Sequence, residues 1–142
     1  MSRCCELRTE LPSTLEAIDA FCRQFRSWYA EAGEERGRFG AELLLREALT
    51  NSVKYGPGPG APVTCVLRGG RRRLLIAVKD QGEGFDWRAV LNRAPVEFSS
   101  TGGRGLEIYH RYADRVRFNS QGNSVVLVKR FPTTGKIWEE TR

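Results

Sequence analysis

The sequence has no long hydrophobic run, and this absence sets the first limits on the kind of protein. Of its 142 residues, 40% are hydrophobic and 28% are charged, which is ordinary for a globular chain. No stretch approaches the roughly 20 apolar residues of a membrane span. The first residues, MSRCCELRTEL, also lack the apolar core of a secretory signal. We therefore expect a cytoplasmic protein without a membrane partner.

Cysteine and histidine patterns that hold metals are also missing. The four cysteines, Cys4, Cys5, Cys22 and Cys65, form no C-x-x-C pair, and His110 is the only histidine. A zinc site needs several such ligands at close spacing. We therefore expect no zinc site and interpret the cysteines as reduced, mostly structural thiols.

The length and the charge balance suit a single basic domain. A chain of 142 residues usually forms one domain, which we place at 1–131, followed by a polar tail at 132–142. The net charge of +6 fits nucleic acid, an anionic ligand or an acidic protein partner. The densest basic cluster, at 71–73, has no interleaved aromatic residues. It therefore favours a solvated hairpin tip over a nucleic-acid surface.

Hydrophobic periodicity predicts an α+β fold. Strands are predicted at 4–11, 63–67, 74–79, 115–120 and 124–131. Helices are predicted at 15–32, 39–55 and 106–112, with one or two turns at 86–92 and a mobile loop at 93–101. In the first helix, Ser13 and Glu16 match a capping box with Ser13 as the N-cap, and Leu15 begins the apolar face. The grouping of helices and strands indicates helices on one face of a mixed, mostly antiparallel sheet, with the first strand at an edge.

A row of polar side chains on the central helix is the first candidate for a functional site. In the segment LLLREALTNSVKYG, at 43–56, Glu47, Asn51 and Tyr55 recur every four residues and so lie on one side of the helix. An apolar face that includes Ala48 and Val53 adjoins this row. A carboxylate and a carboxamide at the margin of a buried surface fit a ligand site; a solvated helix edge is the alternative.

Two glycine motifs favour the ligand site. Asp80 ends an apolar strand and is followed by two glycines, where an aspartate is costly unless a partner satisfies it and where glycine lets a ligand approach the backbone. A second motif, at 102–105, leads directly into a predicted helix. Free N–H groups and the helix dipole make such a start an anion site. An acidic turn and a flexible linker are the structural alternatives for the two motifs.

In this order the three motifs resemble those of the GHKL ATPase superfamily, the ATP-binding fold of gyrase, heat-shock chaperones, histidine kinases and mismatch-repair ATPases. The matching segments are Glu47-x-x-x-Asn51, Asp80-x-Gly82-x-Gly84-Phe85 and Gly102-Gly103-Arg104-Gly105-Leu106. The resemblance covers nearly the whole chain, to Phe131, and implies a Bergerat-type two-layer sandwich. The chain is most similar to the bacterial anti-sigma-factor serine kinases, in the ALTNSVKYG ending, the short connection between the glycine motifs and the YADRV segment at 112–116.

The resemblance implies ATP and Mg²⁺ and assigns roles to individual residues. Glu47 becomes the general base, Asn51 a Mg²⁺ ligand through its amide oxygen, and Asp80 the acceptor of the adenine amino group. Residues 88–101 become a lid over the nucleotide, and the second glycine motif holds the phosphates. The further ATP-binding residues are Tyr55, Gly82, Gly84, Phe85, Thr101, Gly102, Gly103, Arg104, Gly105 and Leu106.

The implied activity is transfer of phosphate to a serine or threonine of a small antagonist protein of the anti-anti-sigma type, with a sigma factor as a second partner. Homodimerisation is also expected, with the exposed edge of the first strand as one candidate surface. The GPGPG segment at 56–60 and Tyr55, where relatives often carry histidine, depart from the family pattern. A non-catalytic ATP-binding module that sequesters a partner is the alternative from another class, and a nucleic-acid binder is a third.

Overall fold

The computed structural model describes residues 5–31, 37–70, 72–84 and 104–131, with side chains in the last range described from residue 107. In these ranges the chain forms five strands and three helices. In chain order they are β1 (Cys5–Pro12), α1 (Leu15–Glu31), α2 (Arg38–Tyr55), β2 (Pro62–Gly70), β3 (Arg73–Lys79), α3 (Arg104–Tyr112), β4 (Arg115–Phe118) and β5 (Ser124–Arg130). The predicted turns at 86–92, the loop at 93–101 and the tail at 132–142 lie outside the described residues.

The start of α1 corrects two details of the prediction. Thr14, not Ser13, is the N-cap, because its Oγ1 accepts the backbone N–H of Ala17 at 3.1 Å. The buried hydroxyl of Ser13 instead donates to the carbonyl of Ala61 at 2.7 Å and ties the start of α1 to the start of β2. Leu15 is 59% exposed and does not belong to the core.

The helix α2 is the centre of the domain. It begins after Gly37, whose φ of 77° is left-handed, and ends at Tyr55, as predicted. One side contacts α1 and α3, and the helix also contacts β3 and β5. Its leucines at 44, 45 and 49 are fully buried, so the helix fixes the distance between the helical layer and the sheet.

The strands form one sheet in the order β1-β2-β3-β5-β4, with every described pairing antiparallel. The predicted layer of helices on one sheet face is confirmed, and β1 lies at an edge, as predicted. Residues alternate between the two faces of a strand, and the face towards the helices supplies the core. Its buried hydrophobic strand residues are Leu11, Val63, Cys65, Leu67, Leu74, Ile76, Val78, Val125 and Leu127.

The connection between β2 and β3 confirms the predicted hairpin. Arg72 has a φ of 62° and, like Arg73, is exposed, while its carbonyl accepts the N–H of Phe131 at 2.8 Å. Cys22 and Cys65 are buried free thiols, and burial raises the pKa of Cys65 to about 12. None of the described helices combines the length and apolar character that crossing a membrane requires.

Candidate functional site

The polar row on α2 lies where the sequence predicts it, beside the buried face of the helix. Glu47, Asn51 and Tyr55 are each half-buried, whereas their neighbours Ala48 and Leu49 are buried. The last two turns of α2 therefore present polar groups at the border between the helical layer and the end of the sheet.

Asp80 is a buried carboxylate directly after β3. Its Oδ1 accepts the backbone N–H of Gly82 at 2.7 Å. Burial raises the pKa of Asp80, and hydrogen bonds from Gly82 and from the Ser52 side chain oppose that rise. A buried carboxylate that accepts few hydrogen bonds from the protein suits a ligand that donates a further N–H.

The turn between β4 and β5 holds the segment after β3 in place. The side-chain amide of Asn123 donates to the carbonyls of Asp80 and Gly82, both at 3.2 Å, and Gln121 Nε2 donates to the carbonyl of Gly82 at 3.1 Å. Asn119 Nδ2 in turn donates to Asn123 Oδ1 at 2.6 Å. Asn123 was missed in the sequence, where 121–123 indicates only a turn.

The side chain of Tyr109 links α3 to the polar row. Its hydroxyl oxygen accepts a hydrogen bond from Asn51 Nδ2 at 3.2 Å. The side chain is almost fully buried, and burial raises the pKa of its hydroxyl, which stays protonated. One N–H of the Asn51 amide is engaged in this way, and no hydrogen bond among the described residues engages the amide oxygen, which is therefore available to a ligand.

These groups line one cavity that is partly open to solvent. It lies between α2, α3, the end of β3 and the β4–β5 turn. Its lining residues are Ala48, Asn51, Ser52, Tyr55, Val78, Asp80, Tyr109, Phe118, Gly122, Asn123, Ser124 and Val125. Apolar walls with a carboxylate and amides at the edge suit a flat ring that carries polar groups on its rim.

The two glycines after Asp80 lie where the structure leaves no space for a side chain. A Cβ atom on Gly82 would lie 2.7 Å from the Tyr55 carbonyl oxygen, and one on Gly84, whose φ is 85°, would lie 2.0 Å from the Gln121 carbonyl oxygen. Both glycines therefore let this segment lie against protein backbone, at the end of α2 and at the β4–β5 turn. Neither lines the cavity.

Glu47 lies one turn before Asn51, beside the cavity rather than in its wall. Burial raises the pKa of Glu47, with a smaller opposing effect from Lys54. Its charge is in turn a small contribution to the raised pKa of Tyr109, after the main effect of burial. Within the described residues, no hydrogen bond or ion pair engages this carboxylate.

The phosphate-binding half of the prediction is only partly visible. Phe85, Thr101, Gly102 and Gly103 lie outside the described residues. The helix α3 begins at Arg104, earlier than the predicted start at Leu106, so the glycine motif does lead into a helix. Nothing is described of the side chains at 104–106.

A helical layer on an antiparallel sheet, with a polar cavity between the central helix and the sheet end, defines a Bergerat-type ligand-binding domain. Comparison with protein families agrees with this class. Residues 11–129 match the family model described as a histidine kinase-like ATPase domain. Because the match spans most of the chain, the protein belongs to this family, whose domains bind ATP. No curated protein matches the chain.

Proposed function

We propose that the chain is an ATP-dependent serine/threonine-protein kinase of the anti-sigma-factor type, which phosphorylates a small regulatory protein. The observation that carries this proposal is the half-buried carboxylate of Glu47, one helical turn from Asn51. A general base works best when its pKa lies near the operating pH, and burial moves the pKa of Glu47 in that direction. ATP binding alone does not need such a group.

The described residues fit ATP and Mg²⁺. The Asp80 carboxylate would accept a hydrogen bond from the adenine amino group, and the Asn51 amide oxygen would be the metal ligand, since the amide nitrogen donates to Tyr109. Mg²⁺ is bound mainly through phosphates, waters and one or two protein oxygens, so a single amide ligand suffices. When bound, the ion neutralises charge on the phosphates.

The transfer follows from these positions. The oxygen of the acceptor hydroxyl forms a bond to the γ-phosphorus while the bond from that phosphorus to the bridging oxygen breaks and ADP leaves. Glu47 takes the proton of the hydroxyl. Phosphoryl transfer depends on positioning and charge stabilisation more than on covalent help, so the proposed protein groups are a base, a metal ligand and the glycine motif that holds the phosphates.

The proposed acceptor is a protein antagonist of the anti-anti-sigma type, with a sigma factor as a second partner and a homodimer as the assembly. A non-catalytic module that sequesters a partner is the second candidate. One surface favours partner binding in either case: Phe39 is 69% exposed, beside Glu42 and the arginines at 26, 38 and 46. An exposed aromatic ring among charged groups is typical of protein contacts.

Calorimetric titration of ATP and ADP, with and without Mg²⁺, tests the nucleotide site. Wild type is expected to bind in a magnesium-dependent manner, and Asn51→Ala is expected to lose that dependence. Gln24→Ala, an exposed amide on α1, is the matched control and should bind like wild type. Unchanged binding by Asn51→Ala would show that the metal role of Asn51 is wrong.

Phosphate transfer separates the kinase from the non-catalytic module. With a partner protein and labelled ATP, wild type should transfer phosphate. Glu47→Gln should bind ATP but transfer phosphate at least about 100-fold more slowly, the usual effect of losing a general base. Tight partner binding by both proteins with no transfer by wild type would favour the non-catalytic module.

A further inference from the structure

The face of the sheet that points away from the helices is strongly basic. We call it the open face and define it by the strand residues that alternate with the buried ones. Its exposed cations are Arg8, Arg68, Arg73, Lys79, Arg115, Arg117 and Arg130, and its exposed carboxylates are Glu6 and Glu10. In the part of the chain that the structure describes, no helix packs on this face. Its excess of positive charge is close to that of the whole chain, +6.

The centre of the open face is aliphatic. Val66, Leu75, Ala77, Val126 and Val128 are half-buried and lie on adjacent strands. The pairing register aligns Arg8, Val66, Ala77, Val126 and Arg117 in one row across all five strands. An apolar strip therefore runs between two arginines, over about 19 Å at the usual strand spacing.

The two ends of this strip differ in how their arginines are paired. On the β1 side, Glu6 lies 2.9 Å from Arg68 and 3.7 Å from Arg8. On the β4 side, no ion pair is found for Arg115 or Arg117 among the described residues. The β4 side is therefore the end at which carboxylates of a partner gain most.

Charge and side-chain chemistry decide among possible occupants. A second copy would bring the same excess of positive charge to this face, and like charges disfavour such an interface. Single-stranded nucleic acid binds through stacking on aromatic rings as well as through cations, and the described strand residues of the open face include no aromatic ring. The open face instead has aliphatic side chains between cations. It is therefore complementary to a protein surface that has aliphatic side chains between carboxylates.

We infer that the open face is a docking surface for an acidic protein segment, with aliphatic side chains on the central strip and carboxylates on Arg115 and Arg117. The cavity lies on the helical side of the sheet, so this segment is separate from the nucleotide. The inference does not rest on kinase activity. It predicts a second binding surface that works with or without ATP.

A labelled peptide that alternates glutamate with valine and leucine is the probe, and its fluorescence anisotropy with the full chain is the measurement. We expect salt-sensitive binding that weakens when serine replaces the valines and leucines or when lysine replaces the glutamates. The double variant Arg115→Glu with Arg117→Glu should weaken binding about tenfold, because two attractions become repulsions. Backbone NMR shifts in wild type should concentrate at Val126 and Val128.

The control variant carries the same change in net charge on the helical side. Arg23→Glu with Arg111→Glu, both exposed, should bind the peptide like wild type, and both double variants should keep wild-type ATP affinity. Equal peptide binding by all three proteins would overturn the inference. Two results with Arg115→Glu and Arg117→Glu would also overturn it: an oligonucleotide that binds wild type more tightly than the peptide and is lost in this variant, or a wild-type dimer that dissociates in this variant. Tighter peptide binding after removal of 132–142 would overturn it as well, because the tail would then be the occupant.

Discussion

The side-chain amide of Asn51 has two chemically different ends, and the fold uses one of them. Its nitrogen donates to the hydroxyl oxygen of Tyr109, which orients the amide and leaves the oxygen available for the proposed Mg²⁺ contact. A tyrosine hydroxyl on a neighbouring helix thus selects which end of the amide is presented. At this scale the structure adds a positioning residue to the predicted ligand.

Tyr109→Phe tests this arrangement. The variant keeps the buried ring and removes only the acceptor, so we expect a folded protein whose magnesium-dependent ATP affinity falls about fivefold, the equivalent of one hydrogen bond of about 1 kcal/mol. Affinity is measured by calorimetry. Tyr29→Phe, at another buried tyrosine, is the control and should leave affinity unchanged. A magnesium response identical to that of wild type in Tyr109→Phe would remove the positioning role.

Glu47 gives a prediction in pH. Burial raises its pKa in the folded chain above the ordinary 4.5, so its contribution to stability is present below the unfolded pKa and is lost as pH rises through the folded pKa. The side chain of Glu47→Gln does not ionise. The free energy of unfolding of this variant should therefore increase relative to that of wild type as pH rises above the ordinary carboxyl pKa of 4.5. Urea unfolding at several pH values measures the difference.

The matched control for this series is Glu16→Gln, which removes a carboxylate at an exposed position. If Glu47 is the base, the rate of phosphate transfer by wild type should rise with pH as the Glu47 carboxyl loses its proton. A transfer rate that does not change with pH, together with parallel stability curves for Glu47→Gln and wild type, would remove Glu47 from the role of base.

Among elements, the end of α2 and the segment after β3 are in close backbone contact. A Cβ atom at Gly82 would lie 2.7 Å from the Tyr55 carbonyl oxygen and 2.9 Å from the Gly56 Cα. Backbone cannot yield to such an atom as a flexible side chain can. The end of α2, which carries Tyr55, and the segment after β3, which carries Asp80, can therefore lie this close only because residue 82 is a glycine.

Gly82→Ala should separate these elements. We expect a loss of about 1–3 kcal/mol in the free energy of unfolding, the usual cost of overpacking, and weaker ATP binding because Asp80 moves relative to α2. Gly60→Ala has open space around its Cβ and is the control, with a change near zero or a small gain. Chemical denaturation and calorimetry report the two effects separately. Equal stability of the two variants would contradict the close contact.

The start of α1 illustrates what local sequence could and could not predict. The position of the helix follows from apolar spacing, but adjacent hydroxyls at Ser13 and Thr14 both satisfy the cap pattern. Ser13 is taken by a carbonyl of Ala61, which is far away in sequence. Tertiary contacts of this kind are not visible in a window of neighbouring residues.

The same limit applies to the site. Asp80 and the polar row on α2 were predictable because each follows from a local pattern. Asn123 and Tyr109 were not, because their roles depend on β5 pairing with β3 and on α3 packing against α2. Once the strand order is known, the β4–β5 turn must lie beside the end of β3, and Asn123 becomes a candidate.

At the scale of the whole molecule, the cavity joins parts of the chain from Asn51 to Val125. A ligand that binds only this arrangement stabilises the entire fold by mass action. With Mg²⁺ and ATP at about 100 times its dissociation constant, the gain should be about 2.7 kcal/mol, or roughly 8 °C in Tm for a domain of this size. Differential scanning calorimetry is the measurement.

GTP is the control nucleotide, because its base carries a carbonyl where adenine carries the amino group that we propose binds Asp80. Its effect on Tm should be clearly smaller. An equal increase in Tm with GTP would mean that Asp80 does not distinguish adenine from guanine. An increase in Tm with ATP alone would support the contact between adenine and Asp80.

Among the described strands, β5 comes last in sequence but lies between β3 and β4 in the sheet. During synthesis, β3 and β4 emerge from the ribosome before the strand that joins them. Until residues 124–130 follow, β3 has an unpaired edge, and edges of this kind recruit other strands. A nascent chain stalled before β5 is therefore exposed to misassembly, and newly made protein acquires its nucleotide cavity only after β5 has been synthesised.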